Sequence, residues 1–193
     1  MKIKTIKKYL LKEAKTGRVG YYKADNGDEW YCSAYVMFKD LGFEFTDEEK
    51  KLFPEKNMSS MFEIKDYKQV TDSLVWNDDR KSDPSASAYD KNIGKKIFFK
   101  NSNKTVCVQY KFADFFGAKK EVFIKNPKSA VVIKEKNETV GYIMPIWIKE
   151  SSAFERFKEE NKEFFEKKSD KNSPNLLGSW DELAQTSICC TVG

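Results

Sequence analysis

The feature of this sequence that most constrains its fold is an apolar run over residues 140–148 that contains Pro145. Most of the other residues in the run are of the types that favour β-strands. Proline has no N–H to donate to a neighbouring strand, so it occurs in sheets at edges and at bulges. The run therefore predicts an edge or bulged strand on which Met144, Pro145 and Ile146 form an apolar surface open to another chain.

The composition indicates a folded protein. The chain has 193 residues, of which 40% are apolar and 15% aromatic, and these shares argue against disorder despite a charged content of 34%. No run of 18 or more apolar residues occurs, and lysines interrupt the N-terminal segment. We therefore expect a cytoplasmic protein that makes no contact with a membrane.

The residue types present narrow the possible chemistry. The sequence contains no histidine, so it lacks both the commonest general base near neutral pH and the commonest metal ligand. The spacing of its four cysteines matches no zinc pattern, and we interpret them as structural thiols of a reducing compartment. We expect no catalytic residue, no metal site and no cofactor, although an enzyme that uses carboxylates or tyrosines remains a minor alternative.

Local signals in the first part of the chain predict a helix and a hairpin. Apolar residues at helical spacing predict an amphipathic helix over residues 1–16 that ends at Gly17. The Asn26-Gly27 pair supplies the positive φ angles of a tight turn, which predicts a hairpin between strands at residues 19–24 and 30–38.

A second group of signals predicts a short helix and then a linker. Thr46 and Glu49 have the spacing of a capping box, which predicts a helix start. A strand is predicted over residues 61–64. The chain then becomes polar, and residues 77–93 are the best candidate for a linker.

After this linker the pattern predicts strands interrupted by one short helix. Strands are expected over residues 96–100, 105–109, 121–124, 130–134 and 139–148, with a helical turn over residues 110–116. From Ser151 onward, phenylalanines on a background of lysine and glutamate predict a helix of about 17 residues. Its apolar side is expected either to cover part of the sheet or to join subunits.

Together these elements predict the α+β class, with two similar halves of antiparallel strands and short helices followed by a C-terminal helix. The first half comprises residues 1–76 and the second comprises residues 94–148, with the linker at 77–93 between them. Residues 149–193 hold the C-terminal helix and a tail. The apolar tail segment 175–180 is a further candidate occupant of the surface around Met144.

Residues 142–148 read Tyr-Ile-Met-Pro-Ile-Trp-Ile, which resembles the last strand of bacterial DNA polymerase sliding clamps, where apolar residues precede Met-Pro-Met-Arg-Leu. The resemblance implies a clamp-like fold and a pocket for short linear peptides of replication proteins, lined here by Met144, Pro145 and Ile146. Tyr142 and Trp147 add broad aromatic area to that predicted peptide-binding surface. A ring built from single clamp domains requires several copies, so the resemblance also implies a possible homo-oligomer.

The lysines of the first helix are the candidate DNA-binding residues. Lys4, Lys8 and Lys12 lie at helical spacing opposite the apolar side, and the formal net charge of the chain is +5. Clamp rings hold duplex DNA by loose electrostatic contacts with phosphates, which carry no sequence information. A simple solvated helix surface accounts for the same pattern equally well.

The sequence therefore leads to two functional hypotheses. The first is a non-enzymatic, clamp-like protein of DNA replication or phage DNA metabolism that binds short peptides of partner proteins, with duplex DNA, bound without sequence specificity, as a further candidate ligand. The second is a protein-protein adaptor or host-directed phage inhibitor in which the same apolar surface serves but the lysines only confer solubility.

Overall fold

The structure, a computed structural model, describes residues 1–57, 65–77, 94–102, 104–148 and 151–166. In this part of the chain, short helices accompany two antiparallel sheets, so the predicted α+β class is confirmed. In chain order the elements are α1 (Ile3–Ala14), β1 (Val19–Lys23), β2 (Glu29–Ser33), β3 (Val36–Lys39), α2 (Asp47–Lys50), β4 (Lys68–Gln69), β5 (Asp72–Asn77), β6 (Lys95–Asn101), β7 (Lys104–Gln109), α3 (Tyr110–Phe115), β8 (Glu121–Ile124), β9 (Val131–Glu135), β10 (Glu138–Ile143), α4 (Ser152–Glu160) and α5 (Lys162–Phe165).

The larger sheet contains two copies of one simple arrangement, a helix followed by three antiparallel strands. Its strand order is β1-β2-β3-β10-β9-β8-β4. The unit α1-β1-β2-β3 and the unit α3-β8-β9-β10 meet where their last strands pair antiparallel, with Met37 opposite Tyr142. This gives the sheet an approximate twofold arrangement about the β3–β10 pair.

The sequence division into halves does not coincide with a division of the sheets. The seven-stranded sheet is continuous across both halves through the β3–β10 pair. β4 and β5, which precede the boundary at residue 76 or cross it, pair with β8 and β6 of the second half. The predicted strand at residues 61–64 and most of the predicted linker, residues 78–93, lie outside the described residues.

The main core lies between the seven-stranded sheet, the helices α1 and α3, and the three-stranded sheet β5-β6-β7. Ile6 and Leu10 of α1 are fully buried there, as the helical spacing of the sequence predicts. Phe38 of β3 contacts Phe115 and Phe116, with ring centroids 5.7 Å and 5.3 Å away. Since neighbouring residues of a strand point to opposite sides, the adjacent Met37 belongs to a second apolar cluster on the other face of the sheet.

The hairpin and the capping box are confirmed, although Gly27 has a positive φ and Asn26 does not. Gly27 has a φ of +86° in the turn between β1 and β2, and the Thr46 side chain accepts from the Glu49 N–H while the Glu49 carboxylate accepts from the Thr46 N–H. Gly17 and Gly117 follow α1 and α3 with φ angles of +68° and +74°, the left-handed conformation that ends helices.

Two predicted elements are divided by side chains that bond to nearby backbone. The strand predicted over residues 30–38 is two strands, because the chain turns at Ser33, whose hydroxyl accepts from the Tyr35 N–H at 3.4 Å. The helix predicted from Ser151 is interrupted at Asn161, whose side-chain amide donates to the Phe157 carbonyl at 2.9 Å. In both places a short polar side chain competes with regular secondary structure.

The predicted docking of the late phenylalanine helix is confirmed for the described residues. Phe154 and Phe157 stack on Phe98 of β6 with ring centroids 5.9 Å and 5.8 Å apart. Phe165 meets the same ring edge-on at 5.3 Å. The Lys100 ammonium donates to the carbonyls of Phe164 and Glu166, so it caps the end of α5. The pair α4–α5 therefore covers the face of the three-stranded sheet that points away from the main core.

Candidate functional site

The proline of the apolar run does not lie in a strand. The edge position predicted for this strand is wrong, and the register shift that the strand does contain lies between Thr139 and Gly141, before Pro145. β10 ends at Ile143, and its neighbours on both sides make it an interior strand of the seven-stranded sheet. Beyond it, the Met144 N–H donates to the Tyr35 carbonyl at 2.9 Å, and the Ile146 N–H donates to the Cys107 carbonyl at 2.9 Å. Pro145 stands between these two donors, where no N–H is required.

Residues 144–148, which we call the strap, therefore carry the chain from the larger sheet to the free edge of β7 in the smaller sheet. The two backbone hydrogen bonds anchor the strap at both ends of Pro145, and the pyrrolidine ring fixes φ between them. An exposed side chain on such a segment loses little further backbone freedom when it binds a partner.

The structure divides the five predicted peptide-binding residues into two groups. Tyr142 is only 2% exposed and packs against Trp30 in the second apolar cluster, with ring centroids 5.6 Å apart. Its inclusion in an open surface is therefore a wrong prediction, because its side chain is part of the core. Met144 and Trp147 are 37% and 76% exposed, and Pro145 and Ile146 are half-buried.

Tyr35 is an additional member of this surface that sequence reasoning missed. It lies in the turn between β2 and β3, its ring is 40% exposed, and its carbonyl is the acceptor for Met144. One side of the ring stacks on Phe112 of α3, with centroids 5.8 Å apart and planes at 17°. We call Tyr35, Met144 and Trp147 the strap patch. No local signal identifies Tyr35, since only the pairing of β3 with β10 brings it beside Met144.

The three predicted DNA-binding lysines form one exposed row on α1. Lys4, Lys8 and Lys12 are exposed, and none of them forms an ion pair within the described part of the chain. Two neighbouring lysines differ: Lys2 is paired with Asp114 at 2.7 Å, and Lys7 is paired with Glu49 at 2.9 Å. The row is therefore a strip of positive charge that the fold leaves available to solvent or to a ligand.

The strap patch and the lysine row approach each other at the start of α3. The Lys111 Nζ lies 4.7 Å from the centroid of the Phe112 ring, the same ring on which Tyr35 stacks. Partial burial lowers the pKa of Lys111, while the Glu13 carboxylate raises it and the Lys12 ammonium lowers it further. Lys12 and Lys111 are thus close enough to repel each other, and Phe112 connects the apolar patch to this positive charge.

Burial favours the uncharged forms of the two described cysteines and of Tyr9. Burial raises the pKa of the Cys107 thiol to about 12 and also raises that of the Cys32 thiol. Burial raises the pKa of Tyr9, whose hydroxyl is 2.8 Å from that of Ser33. Thiols with such pKa values are weak nucleophiles near neutral pH because the thiolate is the reactive form.

Among the described residues, we find neither a metal site nor a cleft that is a better candidate for binding than the strap patch. These residues contain no cluster of three or more cysteine, aspartate and glutamate side chains that could hold a metal ion. An open cleft beside β1 is lined by Lys23, Asp25, Glu55 and Lys56, whose charges are of mixed sign. The strap patch and the adjacent lysines therefore remain the best-defined surface for binding.

Comparison of the chain with protein families, with characterised proteins and with solved structures gives no match. Among the described helices, none combines the length and the apolar character needed to cross a membrane.

Proposed function

We propose that this protein is a non-enzymatic binding protein that holds a short apolar peptide of a partner protein on the strap patch. The observation that carries the proposal is the exposure of Met144 and Trp147, which lie at the start of, and directly after, a backbone stretch held by hydrogen bonds from Met144 to Tyr35 and from Ile146 to Cys107. Large apolar side chains on a rigid backbone are typical of residues that dominate binding energy. Met144 adds an unbranched thioether that adapts its shape to different partners.

We place this activity in DNA replication or phage DNA metabolism, on the basis of the sliding-clamp resemblance of residues 142–148. The duplicated unit of a helix and three strands, joined through β3 and β10, supports that assignment. The exposed positions of Met144 and Trp147 support it as well, since a clamp-like pocket requires an accessible strap.

Replacing Trp147 or Met144 with alanine is expected to weaken binding of an apolar peptide about ten-fold or more, because each is a large exposed anchor on a fixed backbone. The peptides are taken from a display library of short apolar sequences, and their affinities are measured by fluorescence anisotropy. Neither variant should lower the free energy of unfolding by much, since both side chains are already open to solvent.

Leu41→Ala is the matched control for these two variants. Leu41 is 41% exposed but follows β3 at the end opposite to Tyr35. This control should bind the same peptides with unchanged affinity. The proposed function is contradicted if the wild-type protein enriches no peptide from the library. It is also contradicted if Trp147→Ala binds the peptides as tightly as the wild-type protein does.

Duplex DNA is a second candidate ligand, which the exposed lysine row on α1 favours. The triple change Lys4→Ala, Lys8→Ala and Lys12→Ala is expected to weaken binding to duplex DNA at low salt. It should also reduce the slope of log affinity against log salt by about 0.9 for each phosphate that the variant no longer neutralises. A salt titration with a labelled duplex measures both quantities.

The matched control removes the same number of charges elsewhere, at Lys23, Lys50 and Lys65, which are also exposed. Equal effects of the two triple variants indicate only a general charge effect. If the wild-type protein does not bind the duplex at low salt, the DNA-binding part of the proposal fails and the adaptor or host-directed inhibitor is the better assignment. The mass in solution separates the same alternatives, because a closed oligomer supports a clamp and a monomer supports an adaptor.

A further inference from the structure

Phe112 of α3 is the residue at which the apolar and the basic surfaces of this protein meet. One face of its ring is covered by Tyr35 of the strap patch, with centroids 5.8 Å apart. The Lys111 ammonium lies 4.7 Å from the centroid of the same ring, and Tyr9 of α1 meets it edge-on at 5.8 Å. A ligand that lies on Tyr35 is therefore within a few side-chain lengths of Lys111.

The charges around this junction are predominantly positive. Lys12 of α1 interacts electrostatically with Lys111, and Lys95 lies over the Tyr110 ring at 4.1 Å, one residue before Lys111. Lys12, Lys95 and Lys111 are all exposed. The acidic groups nearby are Glu13, which also faces Lys111, and Asp114, whose carboxylate is engaged by Lys2 at 2.7 Å. The junction therefore has an excess of positive charge that its own carboxylates do not balance.

We infer that the peptide taken by the strap patch carries acidic residues beside its apolar anchors, and that these residues contact Lys111 and Lys12. This inference rests on the proposed function and specifies the partner: an apolar segment with an acidic flank. Burial of apolar side chains on Tyr35 and Met144 supplies affinity, while charge complementarity fixes the direction in which the peptide lies.

An acidic peptide suits this surface better than a nucleic acid strand. Nucleotide bases bind single-strand surfaces by stacking on open aromatic faces. Of the strap patch, Trp147 has an open ring, whereas one side of the Tyr35 ring is covered by Phe112 and Met144 has no flat face, so successive bases find no row of open aromatic faces. An aliphatic or aromatic peptide side chain requires no such flat face.

The experiment compares three peptide libraries that share the same randomised apolar core and differ only in the flank, which is three aspartates, three serines or three lysines. The aspartate-flanked library should be enriched on the full-length protein. Its best member should bind about five-fold more tightly than the same core with a serine flank, the size expected for one or two exposed ion pairs. That ratio should shrink as the salt concentration rises from about 50 mM to about 500 mM, because exposed charges are then screened.

Lys111→Ala and Lys12→Ala identify the contacts. Each variant should lose most of its preference for the aspartate flank and keep its affinity for the serine-flanked peptide. Lys119→Ala, which removes an exposed charge beyond the other end of α3, is the control and should retain the preference.

The outcomes separate this inference from the proposed function. Equal affinities for the aspartate and serine flanks, or a preference that survives both lysine variants, overturn the inference and leave peptide binding on the strap patch intact. Binding of no library overturns the proposed function itself. A single-stranded oligonucleotide that binds more tightly than any peptide, with the same dependence on Trp147 and Lys111, assigns the surface to nucleic acid and overturns the inference.

Discussion

Replacing Gly141 with alanine is expected to destabilise the protein by about 3 kcal/mol or more, because the strand has no room for a side chain there. A Cβ at this position would lie 2.2 Å from Cε1 and Cζ of Phe116 and 2.9 Å from the Met37 carbonyl oxygen. β10 is held between β3 and β9, so the backbone has little freedom to move away. The Phe116 ring is buried and packs against Phe38 at 5.3 Å, so it has no free space either. Chemical denaturation measures the loss.

Gly20→Ala is the matched control for this change. Gly20 also lies in a strand of the same sheet, but its nearest neighbour is Cδ of the flexible Lys56 side chain at 2.7 Å. The buried Cys32 Sγ lies at 3.1 Å and needs to shift by only a few tenths of an ångström. A flexible chain can move aside, so we expect a loss below about 1 kcal/mol. Phe116→Leu combined with Gly141→Ala should recover part of the stability, since the smaller side chain removes the ring atoms that clash. A small effect of Gly141→Ala, equal to that of Gly20→Ala, contradicts the geometry of the β3–β10 pair.

Phe98→Ala is expected to cost about 3 kcal/mol and to release α4 and α5 from the three-stranded sheet. The Phe98 ring is 3% exposed and is the surface on which Phe154, Phe157 and Phe165 pack. The two helices are short and bury no residue completely, so their stability depends on this docking. Hydrogen exchange of the amides in α4 and α5 should accelerate far more than exchange in β3 and β10.

A matched variant tests whether the release is specific. Glu155→Ala removes an exposed side chain of α4 whose partner Lys158 lies 2.7 Å away on the same helix. Because such pairs contribute little, this variant should leave both the exchange pattern and the free energy of unfolding nearly unchanged. Unchanged exchange in α4 after Phe98→Ala shows that other contacts hold the helices in place.

The predictions that hold best are those in which short stretches of sequence define their own backbone conformation. Gly27 takes a positive φ in the connection of residues 24–28 between β1 and β2, and Thr46 with Glu49 forms the capping box at α2. The hydrogen bonds and φ angles of these motifs involve residues at most a few positions apart. Their outcome therefore depends little on the remainder of the fold.

The predictions that do not hold concern strand neighbours that are distant in the sequence. Nothing in residues 140–148 indicates that β10 pairs with β3, about a hundred positions earlier, and this pairing makes β10 an interior strand and removes the edge position that was one of the two predicted. The same pairing also decides which side chains of this segment are buried. Tyr142 turns into a core cluster beside Trp30, whereas Met144, two residues later and beyond the end of the strand, is exposed.

The candidate site follows the same division between local and distant information. Exposure of Lys4, Lys8 and Lys12 could be predicted from helical spacing, because one turn of a helix fixes which residues share a face. The sequence did not predict that Tyr35 and Lys111 belong to the surface around Met144. A backbone hydrogen bond and a stacked ring contact bring these segments together, and they join positions more than 70 residues apart.

By itself the sequence determined the approximate positions of the helices and hairpins, the capping box and the presence of an apolar segment around Pro145, because each of these depends on neighbours along the chain. Only the tertiary structure decided that this segment is a strap between two sheets, which of its side chains point to solvent, and that lysines flank them. The physical reason is that exposure and electrostatic surroundings are properties of residues brought together in space, and their proximity is settled by strand pairing and core packing over long sequence distances.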